Sequence, residues 1–169
     1  MPYMPVNPTP ALWDALQWQN DALVLTARIQ EPLEAPTAPR RAGIYKITWT
    51  NAESWAAIQH NRPVAAAAAI EDPVLHFDDL EPPVLLSVGK ATNLYLRLRQ
   101  NFGNNPNNNR ILRRLAAVLP NADNDELREL AVASLHVSWT IVPDWIQRHL
   151  LECYACGVLR PIFDVEAEH

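Results

Sequence analysis

The chain has 169 residues, 49% of them hydrophobic and 20% charged, with four glycines against 15 prolines. That length and balance suit one domain able to bury a sizeable core, and they exclude global disorder. Fourteen Lys and Arg face 19 Asp and Glu, a formal charge of −5, which argues against a protein that coats nucleic acid.

Residues 1–41 read as a Pro-rich N-terminal arm. Pro2, Pro5, Pro8 and Pro10 keep its start extended, and Pro32, Pro36 and Pro39 do the same near its end. Within it, Thr9-Pro10 opens a short helix carrying Leu12, Trp13, Leu16 and Trp18. Ala22 to Ile29 is short and apolar, and fits strand or helix. Gly43 to Trp49 then alternates apolar and polar residues after a glycine, a strand pattern. Residues 51–83 read as an insertion. Asn51 caps a short helix through Trp55 and Ile58, and Pro63 starts a second across Ala65 to Ala69. The acidic cluster Glu71, Asp72, Asp78, Asp79 and Glu81 closes it as a solvated loop.

Val84 to Val88 is a continuous apolar strand ending at Gly89, and Leu94, Leu98 and Phe102 mark a helix over 93–102. Gly103 to Asn109 is a loop by composition. Asn109 caps a basic helix with Ile111, Leu112, Leu115 and Val118, stopped by Pro120. Asp125 to Leu130 forms a helical turn. Ala133 to Val142 is a third strand, with Leu135, Val137, Trp139 and Ile141 on one face. Pro143-Asp144 opens a last helix through about Leu159, halted by Pro161. The sum is an α+β layout: a small three-stranded, mainly antiparallel sheet flanked by helices.

The charge is segregated along this chain. Residues 1–81 hold five bases and ten acids, and residues 123–169 hold three bases and nine acids. Between them, residues 82–122 carry Lys90, Arg97, Arg99, Arg110, Arg113 and Arg114 and no acid. A basic block between acidic flanks suggests a local site for an anion. No apolar run approaches the roughly 20 residues of a membrane span, so no membrane partner is expected. Met1 to Pro10 lacks a secretory pattern, and two cysteines make no disulfide framework, which together predict a cytoplasmic setting.

Ser87-Val88-Gly89-Lys90 and the following residues through Phe102 resemble the strand-turn-helix of the GIY-YIG nucleases, in the form found in the bacterial excision-repair incision subunit. Gly43-Ile44-Tyr45 matches the family's first motif. Glu152 is followed nine residues later by Pro161 and then by Asp164, similar to the family's last helix and its Pro-x-x-Asn ending. The resemblance covers 42–50 and 84–165 within a domain of 42–169. It implies a metal-dependent endonuclease that hydrolyses phosphodiester bonds in DNA. In that reading Glu152 binds Mg²⁺ or Mn²⁺, Lys90 and Arg97 bind and stabilise the phosphate, and Tyr45 orients or activates water. Arg99, Arg110, Arg113 and Arg114 would grip flanking backbone of DNA, or of RNA, without reading sequence. A homodimer or a partner subunit would supply target specificity.

Three departures from the pattern support an alternative. Ser87 replaces the second-motif tyrosine, leaving a short and poorly acidic hydroxyl at a catalytic position. Asn101 stands where the family often has His or Tyr, and Asp164 replaces the terminal Asn. A catalytically weak or inactive member would serve as a nucleic-acid- or protein-binding subunit. A third reading has the acidic insertion mask the basic block. Among weaker signals, Val88-Gly89-Lys90-Ala91 lacks the rest of a nucleotide-binding loop. His149, Cys153 and Cys156 share one helical face and read as half-buried core groups. Trp13 and Trp18 are core by default, or exposed anchors for a partner.

Overall fold

The computed structural model describes residues 9–22, 38–61, 80–102, 110–119 and 121–163. Its elements run α1 (Thr9–Asp14), β1 (Gln19–Ala22), β2 (Gly43–Trp49), α2 (Ala52–Asn61), β3 (Val84–Ala91), α3 (Leu94–Asn101), α4 (Arg110–Val118), α5 (Asn124–Ser134), β4 (Leu135–Ile141) and α6 (Trp145–Tyr154), the last continued by a π-helical turn at Ala155–Leu159. The three expected strands form an antiparallel sheet with β2 at its centre, flanked by helices. A fourth strand corrects the expected count. β1 pairs antiparallel with β4, giving the order β1-β4-β2-β3. Gln19–Ala22 has no strand composition of its own; pairing to β4 satisfies backbone groups on both strands.

Local chemistry sets most boundaries. The side chains of Asn51, Asn93 and Asp144 accept the backbone N–H groups of Ser54, Leu96 and Gln147 at 3.0, 3.1 and 2.8 Å, starting α2, α3 and α6. Each such cap contributes about 1 kcal/mol. α5 is longer than the expected turn, because Asp123 and Glu126 form a capping box and Leu127 and Ala131 extend the buried stripe. β3 also outruns its expected end at Gly89, since Lys90 pairs with Ile44 and Ala91 with Gly43. A bulge interrupts β3: Ile47 lies opposite Ser87 but Thr48 opposite Leu85, so Leu86 is the extra residue.

The two sheet faces carry separate cores. Tyr45, Ile47, Trp49, Val137 and Trp139 pack with side chains of α2 to α5, among them Trp55, Leu94, Leu98, Leu115 and Leu127. Ile44, Val88 and Val142 face Leu151 and Ala155 of α6 and its π turn, with Trp13, Leu16 and Trp18 of the arm packed against them. The described parts of both the arm and the insertion are therefore built into the cores. Trp55 of α2 lies 5.9 Å from Trp49, ring centroid to centroid, and donates to the Leu80 carbonyl at 2.8 Å. Beyond the π turn, Arg160 adopts a left-handed conformation (φ 49°) and the chain doubles back. The N–H groups of Ile162 and Phe163 then donate to the carbonyls of Leu85 and Leu86 at 3.1 and 2.8 Å, along the outer edge of β3.

Candidate functional site

Lys90 and Glu152, 62 residues apart, meet at the end of β3. Packing of Leu151 and Ala155 on Ile44 and Val88 fixes how α6 lies across the sheet. Glu152 follows Leu151 and is turned to Lys90, the cross-strand partner of Ile44. Oε1 of Glu152 accepts the backbone N–H of Lys90 at 3.2 Å, and Oε2 accepts its ammonium in an ion pair. His149, one turn earlier on α6, places Nδ1 3.1 Å from Lys90 Nζ. An ammonium can only donate, so Nδ1 is the acceptor wherever the two hydrogen-bond, and Nε2 lies 3.7 Å from Cys153 Sγ. Cys153 is exposed and Cys156 half-buried, so Cys153 is not the core thiol that the helical spacing predicts.

The remaining motif residues lie across the sheet. Tyr45 is 3% exposed and pairs in register with Gly89 and Trp139. Its hydroxyl accepts from Asn101 Nδ2 at 3.0 Å, inside the core beneath α3. Gly89 is required there, because a Cβ would run into the Tyr45 phenol. Ser87 is buried next to the bulge, opposite Ile47. Arg97 of α3 is half-buried, with its Nε buried. The fold thus brings Lys90 to Glu152 on one face, and Tyr45 to Asn101 on the other. The Tyr45 hydroxyl sits in the core, whereas the sequence reading has it orienting a water. Asp164 lies outside the described residues.

The basic block is divided in the same way. Arg99 and Arg113 are exposed on α3 and α4. Arg114 is half-buried, its guanidinium 6.0 Å from the Phe163 ring centroid. The side chain of Arg110 and the acids of 71–79 lie outside the described residues. No helix among those described is long and apolar enough to cross a membrane.

Sequence reasoning did not find Lys46. It projects from the middle of β2 with Nζ 4.3 Å from the Trp18 ring centroid. Burial pushes its amine below the usual lysine range. Trp13 and Trp18 are half-buried and lie 5.3 Å apart, so neither is the exposed anchor that the arm suggests.

A hard divalent cation takes about six oxygen ligands. Among the described residues Glu152 offers one carboxylate, both of whose oxygens Lys90 engages, and no group of three or more His, Cys, Asp or Glu is gathered to hold a metal. This donor set fits an ammonium. A Mg²⁺ or Mn²⁺ held by Glu152 would have to displace that ammonium and complete its shell with waters or phosphate oxygens. No protein-family model, curated protein or solved structure matches the chain.

Proposed function

We propose that this chain is a GIY-YIG-like domain that binds the backbone of DNA and contributes little or no hydrolysis of its own. The observation that carries the reading is the Lys90–Glu152 pair: the carboxylate that the nuclease chemistry needs is buried and already neutralised. Ser87 at the second-motif position and the enclosed hydroxyl of Tyr45 support the same conclusion. Binding rests on the exposed bases, Arg99 and Arg113, with Arg114 beside them. Contacts of this kind give affinity that falls with salt and carry no sequence readout.

The test is fluorescence anisotropy on a labelled 20-base-pair duplex and on single-stranded DNA and RNA of the same sequence, over a series of salt concentrations. Replacing Arg113 and Arg114 by Ala should lower the salt slope by about 2 for DNA. An unchanged slope removes the basic block from the interface, and tighter binding of RNA makes RNA the ligand.

A metal-dependent DNA endonuclease is the second reading. It is favoured by the convergence of Lys90 and Glu152 from distant parts of the chain, and it requires the ammonium to leave Glu152. Plasmid nicking in Mg²⁺ or Mn²⁺ decides between the two. Nicking by the wild type that disappears in Glu152→Ala selects the enzyme. No nicking alongside retained binding selects the binding domain.

A further inference from the structure

α6 turns its charges inward and leaves large apolar side chains outside. Between Asp144 and Arg160 the chain has two charged residues, Arg148 and Glu152, and both are buried. Arg148 donates to the carbonyls of Val142 and Pro143 at 2.8 and 2.7 Å, and Glu152 holds Lys90. The outward side of the helix and its π turn carries Trp145, Ile146, Leu150, Cys153 and Val158, all exposed. Trp145 is 67% and Val158 64% exposed, and four of the seven large hydrophobic side chains exposed among the described residues lie on this one strip. The Lys90 ammonium beside His149 is already answered by Glu152. A helix face bare of charge, on a chain with 20% charged residues, marks an interaction surface.

We propose that this strip is the interface between two copies of the chain, with their α6 helices packed antiparallel about a two-fold axis. Three observations select a second copy. A lipid surface or a nucleic acid would call for Lys or Arg along the strip, and α6 turns its one arginine inward. The ends carry opposite charges, Asp144 before the strip and Arg160 after it, both exposed. An antiparallel pair sets Asp144 of each copy toward Arg160 of the other, whereas a parallel pair would set like beside like. The shapes complement each other as well. Bulk lies at one end, in Trp145 and Ile146, and space at the other, where a Cβ on Gly157 would meet nothing within 4 Å. In an isologous contact each end fills the other: Trp145 and Ile146 of one copy lie over Gly157 and Val158 of the second, and Leu150 and Cys153 pack about the axis. The strip is roughly 20 Å long at about 1.5 Å per residue, enough for one helix–helix contact, so the dimer is reversible rather than obligate. α3 and α4, which carry Arg99 and Arg113, cover the opposite face of the sheet, and the inference stands apart from the DNA-binding reading.

The experiment is sedimentation equilibrium of the full chain under reducing conditions, from about 1 to about 200 µM. The wild type should pass from monomer to dimer with a Kd on the order of 10–100 µM, as expected of a contact below the standard interface size. Trp145→Glu and Ile146→Glu, each placing a charge on the strip, should each weaken the dimer about tenfold or more. Their melting temperatures at low concentration should match the wild type, because both side chains are exposed in the monomer. In a Cys156→Ser chain a short bismaleimide should join two copies through Cys153, and Trp145→Glu should remove that product. A chain that stays monomeric at the highest concentration overturns the inference, as does a dimer that Trp145→Glu leaves intact or that Cys153 cannot cross-link. Co-sedimentation of a monomeric chain with phosphatidylglycerol vesicles, lost in Trp145→Glu, would overturn it too and assign the strip to a lipid surface.

Discussion

Lys90 and Glu152 share an ion pair but not an environment, and this makes their substitutions unequal. The Lys90 side chain is 33% exposed and that of Glu152 only 7%. In Glu152→Gln the lysine can turn to water, and the amide can still accept the Lys90 N–H, so the cost should be about 1 kcal/mol. In Lys90→Met the carboxylate stays buried with its charge unanswered, and the cost should be about 2–3 kcal/mol. Urea denaturation measures the order, and a larger loss for Glu152→Gln would contradict it. The same Lys90→Met chain should gain a thermal shift with MnCl₂ that the wild type lacks. Lys46 gives a pH signature. Its amine is pushed down in the folded chain, so the unfolded chain binds more protons between that lowered value and the ordinary lysine value near about 10.4. Stability therefore rises as pH climbs through that alkaline window, where the cost of the buried charge, present in full at neutral pH, is relieved. Measured against Lys46→Met, the wild type should gain stability between pH 7 and 10. A constant difference would mean that burial does not perturb the amine.

At the scale of elements, the boundaries set by local chemistry were legible in the sequence. Gly43 to Trp49 is a strand as its alternation predicts, and Asn51, Asn93 and Asp144 cap the helices they precede. Features set by partners were not legible. Gln19–Ala22 becomes a strand only because β4 is there to pair with it, and nothing in the apolar run from Val84 to Val88 marks Leu86 as the residue left over. That bulge matters to the site. Faces alternate along a strand, so one extra residue before Ser87 determines that Gly89 lies under Tyr45 while Lys90 faces α6. Motif spacing identified Lys90 and Glu152 as candidates but could not say that each would satisfy the other. The two strand glycines test the packing. A Cβ at Gly43 would strike the Thr140 carbonyl, which is backbone and cannot give, and Leu94 Cδ1 at 2.7 Å. Gly43→Ala should cost about 3 kcal/mol or more. At Gly89 the obstacle is the Tyr45 ring, so Gly89→Ala should cost about 1–3 kcal/mol alone and clearly less in a Tyr45→Leu background. Additive costs in that double-mutant cycle would show that the ring is not what excludes the side chain.

For the whole molecule, the arm is the decisive case. Composition sets residues 1–41 apart, yet α1 and the residues that follow it place Trp13, Leu16 and Trp18 against the α6 side of the sheet, and β1 extends the sheet beside β4. Removing residues 1–22 should cost about 3 kcal/mol or more, read as a lower melting temperature. An appended arm would leave that temperature unchanged. The net charge of −5 likewise conceals its arrangement. Of the basic block, Lys90 is committed to Glu152 and Arg97 and Arg114 are half-buried, so the exposed positive surface is smaller than the sequence count suggests. The doubling-back of the chain after Arg160 has a consequence for assembly. Ile162 and Phe163 occupy the carbonyls of Leu85 and Leu86, and Glu152 occupies the N–H of Lys90, so a neighbouring chain finds the β3 side already taken. The opposite side ends at β1, four residues long. Among the described residues nothing pairs with the outer side of β1, and a sheet able to accept a newcomer on one side only cannot propagate: two copies joined through β1 would each use up that margin of the other, and growth toward a fibril would stop at a pair.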